Sequence, residues 1–214
     1  MSATHRQTSH RPGTAIQYKG QVRLASILEA GKTVLMQAGY AGFTMRKVAA
    51  RAGISVGNLS YYYGSKEVLL RDLVDHVINS YLAVFDQLRD AAGQSPEKQL
   101  GSILNYWIED LGAPETTQFF PELWALANHD PHVAKLVDDM YARARQPLVE
   151  LAGLINPACT AGERQQLALF MCATMEGLTI FAGNDKPWAP RRQQLKRMAI
   201  ENFMQLIAGC GKAG

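Results

Sequence analysis

The first 64 residues of this 214-residue chain nearly lack acidic side chains, since they hold eight Lys or Arg residues and a single acid, Glu29. The remaining residues carry 14 basic and 18 acidic side chains, so the net charge of +3 conceals two segments of opposite sign. A basic segment joined to a mildly acidic one favours a polyanion-binding module attached to a second module. Charge alone does not distinguish this arrangement from a plain solvated basic surface.

Long apolar runs are also missing. No uninterrupted run is long enough to span a bilayer, and MSATHRQTSHRPGTAIQYKG has no apolar stretch after its basic residues, which excludes a membrane helix and a secretory signal. We therefore expect no membrane partner and interpret residues 1–20 as a flexible basic tail. Cys159, Cys172 and Cys210 lack the spacing of metal ligands, so we expect them to be thiols of a reducing, cytoplasmic protein.

The alternation typical of strands is absent, and apolar residues recur at helical spacing along the chain. We therefore predict an all-α protein of about nine helices. The predicted helices cover about residues 20–38, 44–52, 56–62, 66–92, 97–111, 116–128, 131–153, 162–182 and 189–208.

The second and third predicted helices are joined by the short segment AGIS, an arrangement typical of a helix-turn-helix. Gly53 permits the sharp turn, and Ser55 is expected to cap the helix that follows. Leu59 and Tyr63 stand four residues apart, so they share the face that packs on neighbouring helices. The residues left on the outer side are Gly57, Asn58, Tyr61 and Tyr62.

Cations stand at predicted helix starts, where the helix dipole disfavours them. Arg46 and Lys47 follow the capping residue Thr44, and Lys66 follows Ser65. Such positions are favourable if an outside anion binds, and a capping hydroxyl with a nearby cation is typical of a phosphate site. We predict two phosphate contacts on either side of the third helix, which would then lie in the major groove. The alternative is a three-helix packing unit without a ligand.

The stretch FTMRKVAARAGISVGNLSYYYGSKEVLL, within residues 22–70, resembles the DNA-binding domain of the TetR family of bacterial transcriptional regulators. Two positions depart from the family pattern: Ser60 replaces a frequent aromatic residue, and Tyr62 replaces a frequent His. The positions that carry the resemblance are Phe43-Thr44, Val48-Ala49, Ala52-Gly53-Ile54-Ser55, Gly57, Leu59, Tyr63 and Ser65-Lys66-Glu67.

The resemblance implies a homodimer that binds double-stranded operator DNA and responds to an unknown small-molecule effector. It implies a DNA-binding domain at residues 21–66 and a ligand-binding and dimerisation domain at residues 67–214. Family members change the spacing of their two DNA heads when a ligand binds. The residues expected at the DNA interface are Thr44, Arg46, Lys47, Ser55, Val56, Gly57, Asn58, Ser60, Tyr61, Tyr62 and Lys66.

The C-terminal half is rich in aromatic and Met residues, which can line an apolar pocket but are also common in any helical core. Glu176 lies in the apolar segment ATMEGLTIF. It could hold a cationic or hydroxylated ligand, or serve an interface or a helix cap. The predicted ligand-binding residues are Trp107, Phe119, Phe120, Trp124, Tyr141, Phe170, Met171, Met175 and Glu176.

Signatures of an enzyme do not stand out: there is no Gly-rich phosphate loop, Ser-His-Asp order or Cys-His pairing. His129 and His132 have a spacing that could hold a metal, but exposed histidines at a helix start are the favoured interpretation. We therefore expect no cofactor and no metal.

The last two predicted helices carry broad apolar faces, which indicate a four-helix dimer interface or the closure of a monomer core. Together these features favour a repressor released from its operator by a small, largely apolar ligand. One alternative is a helical small-molecule-binding protein or enzyme with an incidental basic head. Another is a DNA-binding protein that responds to a protein partner or to no signal.

Overall fold

The computed structural model describes the backbone of residues 12–93 and 95–211 and the side chains of residues 20–93 and 95–211. In these ranges the chain is all-α, as predicted, with no strand. Of the predicted tail at residues 1–20, residues 1–11 lie outside the described part of the chain. The helices are α1 (Pro12–Gly42), α2 (Met45–Arg51), α3 (Val56–Tyr62), α4 (Lys66–Ala92), α5 (Pro96–Asp110), α6 (Pro114–Ala127), α7 (Pro131–Ile155), α8 (Ala161–Ala182) and α9 (Arg192–Gly209), with a short 3₁₀ helix at Ala189–Arg191.

The first helix begins earlier than the sequence indicated, at Pro12 instead of residue 20. Proline is favourable at the first helical position because its fixed φ suits the helix and its missing N–H is not needed there. Gly39 has a φ of 58° and interrupts the helical geometry of α1, close to the predicted end at residue 38. The chain between residues 12 and 20 is therefore helical rather than a tail.

The chain divides into two compact units, Met1–Leu73 and Val74–Gly214. The predicted DNA-binding segment at residues 21–66 lies within the first unit. Its core consists of side chains from α1 to α4 that are almost fully buried, and Gly53 with a φ of 66° forms the turn before α3. The buried side chains include Ile27, Leu35, Phe43, Val48, Leu59, Tyr63 and Leu69.

The second unit is built from α5 to α9 and the part of α4 after Leu73. The side chain of Asp130 caps α7 by accepting from the backbone N–H groups of His132 and Val133. His129 and His132 are both exposed, in agreement with the favoured interpretation. Of the helices in the described residues, none is both long and apolar enough to cross a membrane.

The expectation of three free thiols is wrong, because Cys159 and Cys210 form a disulfide. Cys172 is a buried free thiol. The two bonded cysteines are separated by 51 residues in sequence, yet their Cα atoms lie 4.9 Å apart. Only the packing of α7, α8 and α9 brings them together, so no local pattern could reveal the pairing.

Candidate nucleic-acid interface and ligand cavity

Three hydroxyl side chains cap the helices of the first unit at their N-termini. Thr44 Oγ1 accepts from the Lys47 N–H at 3.3 Å, and Ser55 Oγ accepts from the Asn58 N–H at 3.1 Å. Ser65 Oγ accepts from the Val68 N–H at 3.3 Å. These bonds satisfy N–H groups that have no intrahelical partner, so each helix starts where the hydroxyl stands.

The outer side of α3 is open to solvent. Gly57, Asn58 and Ser60 are exposed, and so is Val56. A Cβ atom added at Gly57 would meet nothing within 4 Å. None of the described residues forms a hydrogen bond with the Asn58 side chain, so its amide is available to an outside partner.

The three consecutive tyrosines divide between the two sides of α3. Tyr61 is 85% exposed, whereas Tyr63 is 2% exposed. Tyr62 is half-buried, and its ring meets that of Tyr61 edge to face with centroids 5.3 Å apart. Burial and the nearby Asp72 carboxylate raise the pKa of Tyr63 to about 12. Tyr63 therefore belongs to the core, as predicted, and Tyr61 to the open surface.

The cations of the first unit lie close to these caps. Arg46 and Lys47 are exposed in the first turn of α2. Lys66 is half-buried, and its Nζ lies 4.1 Å from the centroid of the Tyr40 ring. A cation over an aromatic face is stabilised by about 0.5–1 kcal/mol at exposed sites. Tyr40 therefore supplies Lys66 with a partner inside the protein, in addition to the outside anion that the sequence predicts.

A cavity in the second unit is lined by residues of α4, α5, α6, α7 and α8. Its volume is about 30 Å³, which is enough for about one water molecule. Any larger ligand must therefore move the surrounding side chains. The lining residues are Val77, Ile78, Tyr81, Phe85, Trp107, Phe120, Met140, Tyr141, Ala144 and Glu176.

Among the described residues, Glu176 is the only carboxylate that lines this cavity. Burial raises its pKa to about 7, against the lowering effect of hydrogen bonds from Tyr141 and Trp107. Trp124 Nε1 donates to the Tyr141 hydroxyl oxygen at 2.8 Å. This bond, from a residue outside the cavity lining, fixes the position of the Tyr141 hydroxyl group. No Lys or Arg among the described residues forms an ion pair with Glu176.

A second carboxylate stands behind the cavity wall. Asp110 accepts hydrogen bonds from the hydroxyl groups of Tyr81 and Thr116, the latter at 2.7 Å. Burial, followed by the charge of Asp110, raises the pKa of Tyr81. The negative charge of Asp110 also contributes to the raised pKa of Glu176. Tyr81 therefore stays a neutral hydrogen-bond donor toward Asp110.

The structure brings together only part of the predicted pocket. Trp107, Phe120, Tyr141 and Glu176 line the cavity, while Trp124 contacts it through Tyr141. Phe119, Met171 and Met175 are buried elsewhere in the core, and Phe170 is 53% exposed on the outer side of α8. The residues missed by sequence reasoning are Val77, Ile78, Tyr81, Phe85, Met140 and Ala144.

The missed residues of α4 did carry a signal, because Val77, Ile78, Tyr81 and Phe85 recur at helical spacing on one face. That pattern indicates a buried face. It does not tell whether the face packs fully or borders a cavity, since both require the same apolar side chains.

An apolar face on α8 and α9 remains uncovered in the single chain. A Cβ atom at Gly177, in the middle of α8, would meet nothing within 4 Å. Ala168, Met171 and Met175, also on α8, are instead fully buried in the core of their own chain. The large exposed apolar residues on the two helices are Leu169, Phe170, Ile180, Phe181, Met198 and Leu206.

Comparison with known proteins agrees with both parts of this architecture. The family model for bacterial regulatory proteins of the tetR family matches residues 27–73. The model for the C-terminal domain of the BetI-type transcriptional repressor matches residues 96–206, which is more than half of the chain.

Relatives in both sequence and structure are regulators. The HTH-type transcriptional regulators BetI from Burkholderia ambifaria and Paraburkholderia phytofirmans are 28% and 27% identical to this chain over 160 residues. These alignments cover 74% of this chain and 80% of each relative.

Solved structures show the same fold. Salmonella enterica GusR has a TM-score of 0.71 at 16% identity, with 87% of this chain and 96% of that chain covered. A transcriptional regulator from Rhodococcus sp. Rha1 has a TM-score of 0.70 at 18% identity, with 89% and 99% covered. The chain is a helix-turn-helix transcriptional regulator that belongs to the TetR family, with a C-terminal domain of the BetI-type repressors.

Proposed function

We propose that this protein is a cytoplasmic homodimeric repressor, released from a two-fold-related operator by a small effector that enters the cavity beside Glu176. Two observations support the parts of this proposal. The open side of α3 offers Gly57, Asn58 and Tyr61 to base edges in the major groove. The cavity offers an aromatic wall and one carboxylate to a ligand.

The cations of the first unit are placed to contact the DNA backbone. Arg46 and Lys47 are exposed on α2, and such side chains position a protein on the duplex without reading its sequence. Because the first 64 residues contain a single acid, the positive charge of this segment is not neutralised within it. This favours a salt-dependent association with phosphates.

Lys66→Ala is expected to weaken binding about evenly across DNA sequences. If Lys66 contacts a phosphate, the slope of log affinity against log salt concentration decreases by about one unit. Tyr40→Leu is the matched control, because it removes the ring beneath Lys66 but retains the cation. Fluorescence anisotropy at several salt concentrations measures both variants. An unchanged slope for Lys66→Ala rules out the phosphate contact.

Gly57→Ala is expected to separate protein stability from DNA binding. The added methyl group meets nothing within 4 Å in the protein, so replacing a helical glycine should stabilise the fold by about 0.5–1 kcal/mol. Operator affinity should nevertheless fall, by about 1–3 kcal/mol where a base contact is lost.

The control for Gly57→Ala is Gly162→Ala on α8, which is also free of neighbours within 4 Å. It should leave operator affinity unchanged. Urea unfolding gives the stability of each variant, and anisotropy gives its affinity. Wild-type operator affinity in Gly57→Ala would show that α3 does not approach the DNA closely.

The dimer is proposed to form through the uncovered apolar faces of α8 and α9. An exposed apolar stripe on two adjacent helices is costly in a monomer, and two such pairs form a four-helix interface. Gly177 and the exposed Ala173 lie on this stripe, so the backbones of two α8 helices can approach closely. Phe170, predicted from sequence as a pocket residue, is thereby assigned to the interface.

The effector is proposed to have a small apolar body and a cationic or hydroxylated group that faces Glu176. The carboxylate lines the cavity together with Tyr141 and Trp107 but has no charged partner among the described residues, so it is the polar feature that orients a ligand. Because the cavity is small, the effector must displace its walls. We propose that this displacement favours a distance between the two DNA-binding domains of the dimer that fits the operator poorly.

The test is to isolate operator fragments from genomic DNA and then titrate candidate effectors with and without operator. Small amines and alcohols with apolar bodies are suitable candidates. An effector must weaken operator binding, and operator must weaken effector binding by the same factor. Glu176→Gln should abolish the response to amines and retain part of the response to alcohols. If no compound changes operator affinity, the sensing part of the proposal is wrong.

A further inference from the structure

The Cys159–Cys210 disulfide joins the two ends of the chain segment that forms the exposed apolar face. Cys159 precedes Thr160, the N-cap of α8, and Cys210 follows the last residue of α9. The bond therefore fixes the first turn of α8 beside the last turn of α9, where Leu206 contributes to the apolar face.

Non-covalent contacts hold the same two segments together. Asn156 Nδ2 donates to the backbone carbonyls of Ile207 at 2.7 Å and Cys210 at 3.2 Å. The Gly211 N–H donates to Glu163 Oε1 at 3.3 Å, and a Cβ atom at Gly211 would lie 2.9 Å from Ala158. These contacts favour the return of the two segments to one another after the bond is broken, so the bond can reform within one chain.

The two sulfur atoms differ in access. Cys159 is 2% exposed, whereas Cys210 is half-buried beyond the end of α9. An outside thiolate therefore reaches Cys210 first, with Cys159 as the leaving group. Cys172 does not compete, because burial raises the pKa of its thiol to about 12 and keeps it protonated.

We propose that Cys159 and Cys210 are a reversible thiol–disulfide site that adjusts the stability of the dimer formed through α8 and α9. This inference rests on the proposed homodimeric function. A protein that binds chromosomal DNA works in a compartment rich in thiol reductants, where persistent disulfides are rare and those present are usually transient or redox-sensing.

Reduction requires a dithiol. One reductant thiolate attacks Cys210 Sγ, and Cys159 Sγ leaves with the bonding electron pair and takes up a proton. The second reductant thiol then attacks the reductant sulfur of the mixed disulfide and releases the Cys210 thiol, so two electrons and two protons pass to the chain.

Oxidation requires a peroxide. One cysteine thiolate attacks the O–O bond and forms a sulfenic acid with release of one water. The second thiol displaces another water and restores the disulfide. The peroxide is reduced by the same two electrons that the cysteines lose.

The experiment compares the full-length oxidised protein with the same protein reduced by dithiothreitol. Sedimentation equilibrium is expected to show a dimer dissociation constant about tenfold higher after reduction, because fraying of the last turn of α9 removes an apolar contact from the interface. Hydrogen exchange should accelerate in that turn. Peroxide treatment should reverse both changes.

Variants separate the cysteines. Cys210→Ser should match the reduced wild-type protein in either condition, and Cys172→Ala should respond to reduction like the wild type. An equal dissociation constant and equal exchange in both redox states overturns the inference. So does a stoichiometric zinc ion held by the reduced protein through Cys159, Glu163 and Cys210, whose ligand atoms lie within 4.8 Å of one another.

Failure of the underlying dimer is distinguishable. If the oxidised protein is monomeric at every concentration, the proposed dimer is wrong. In that case hydrogen exchange of α9 still reports on the thiol–disulfide site. Unchanged exchange on reduction would then overturn the redox site as well, whereas faster exchange would retain the site and limit its effect to α9.

Discussion

Gly177→Arg is expected to convert the dimer into monomers and to lower operator affinity by about 10²–10⁴-fold. The position has no neighbour within 4 Å in the single chain, so the monomer accommodates the arginine. In a four-helix interface the same side chain would separate the two α8 helices and bury a charge. Each head would then bind its half-site alone and lose the gain that comes from linking two binding modules.

Gly101→Arg on α5 is the control for this variant, since a Cβ atom there also meets nothing within 4 Å. It adds the same charge on α5, in a surface groove that Leu88 and Ala92 of α4 also line, and should leave the dimer intact. Sedimentation velocity and operator titrations measure both properties. A dimeric Gly177→Arg protein with normal operator affinity would place the interface elsewhere.

Glu176→Gln is expected to stabilise the protein at pH 8 by on the order of 3 kcal/mol and to have little effect at pH 4. Burial raises the pKa of this carboxyl from 4.5 to about 7 in the folded chain. Between these values the folded state keeps a proton that the unfolded state has lost, so the stability of the wild type falls as pH rises. Above pH 7 the folded state bears the full cost of the buried charge.

The amide introduced by Glu176→Gln is neutral and nearly the same shape as the carboxylate, so the substitution removes the cost of the buried charge. Urea unfolding at pH 4, 6 and 8 measures the free energy of unfolding. Glu109→Gln is the control, and its expected effect on the free energy of unfolding has the opposite sign. The reason is that hydrogen bonds from Lys196 and Gln193 lower the pKa of Glu109. If the free energy of unfolding of the wild type does not decline between pH 5 and 8, burial does not raise the pKa of Glu176 as expected.

The helix-turn-helix could be predicted from sequence because its determinants are local. Thr44, Ser55 and Ser65 cap helices through bonds to N–H groups three residues ahead, and Gly53 adopts the positive φ that its turn requires. The helical spacing of Leu59 and Tyr63 predicted the buried side of α3. Each of these features depends on residues within a few positions of one another.

The cavity and the uncovered apolar face could not be assigned from sequence because they depend on which helices pack together. Phe170 and Met171 are neighbours in sequence and similar in hydrophobicity, yet one is 53% exposed and the other is fully buried. Which side of an apolar helix faces the core is set by the helices that cover it. Lys66 illustrates the same limit, since its partner Tyr40 lies on another helix.

The sequence by itself determined the all-α class, most helix boundaries to within a few residues and the identity of the DNA-binding motif. Tertiary structure decided the pairing of Cys159 with Cys210, the enclosure of Glu176 by aromatic side chains, and the apolar residues left uncovered on α8 and α9. The physical reason is the range of the interactions. Caps, turns and periodicity act within one or two helical turns, whereas disulfides, cavities and interfaces join side chains that are distant in the chain.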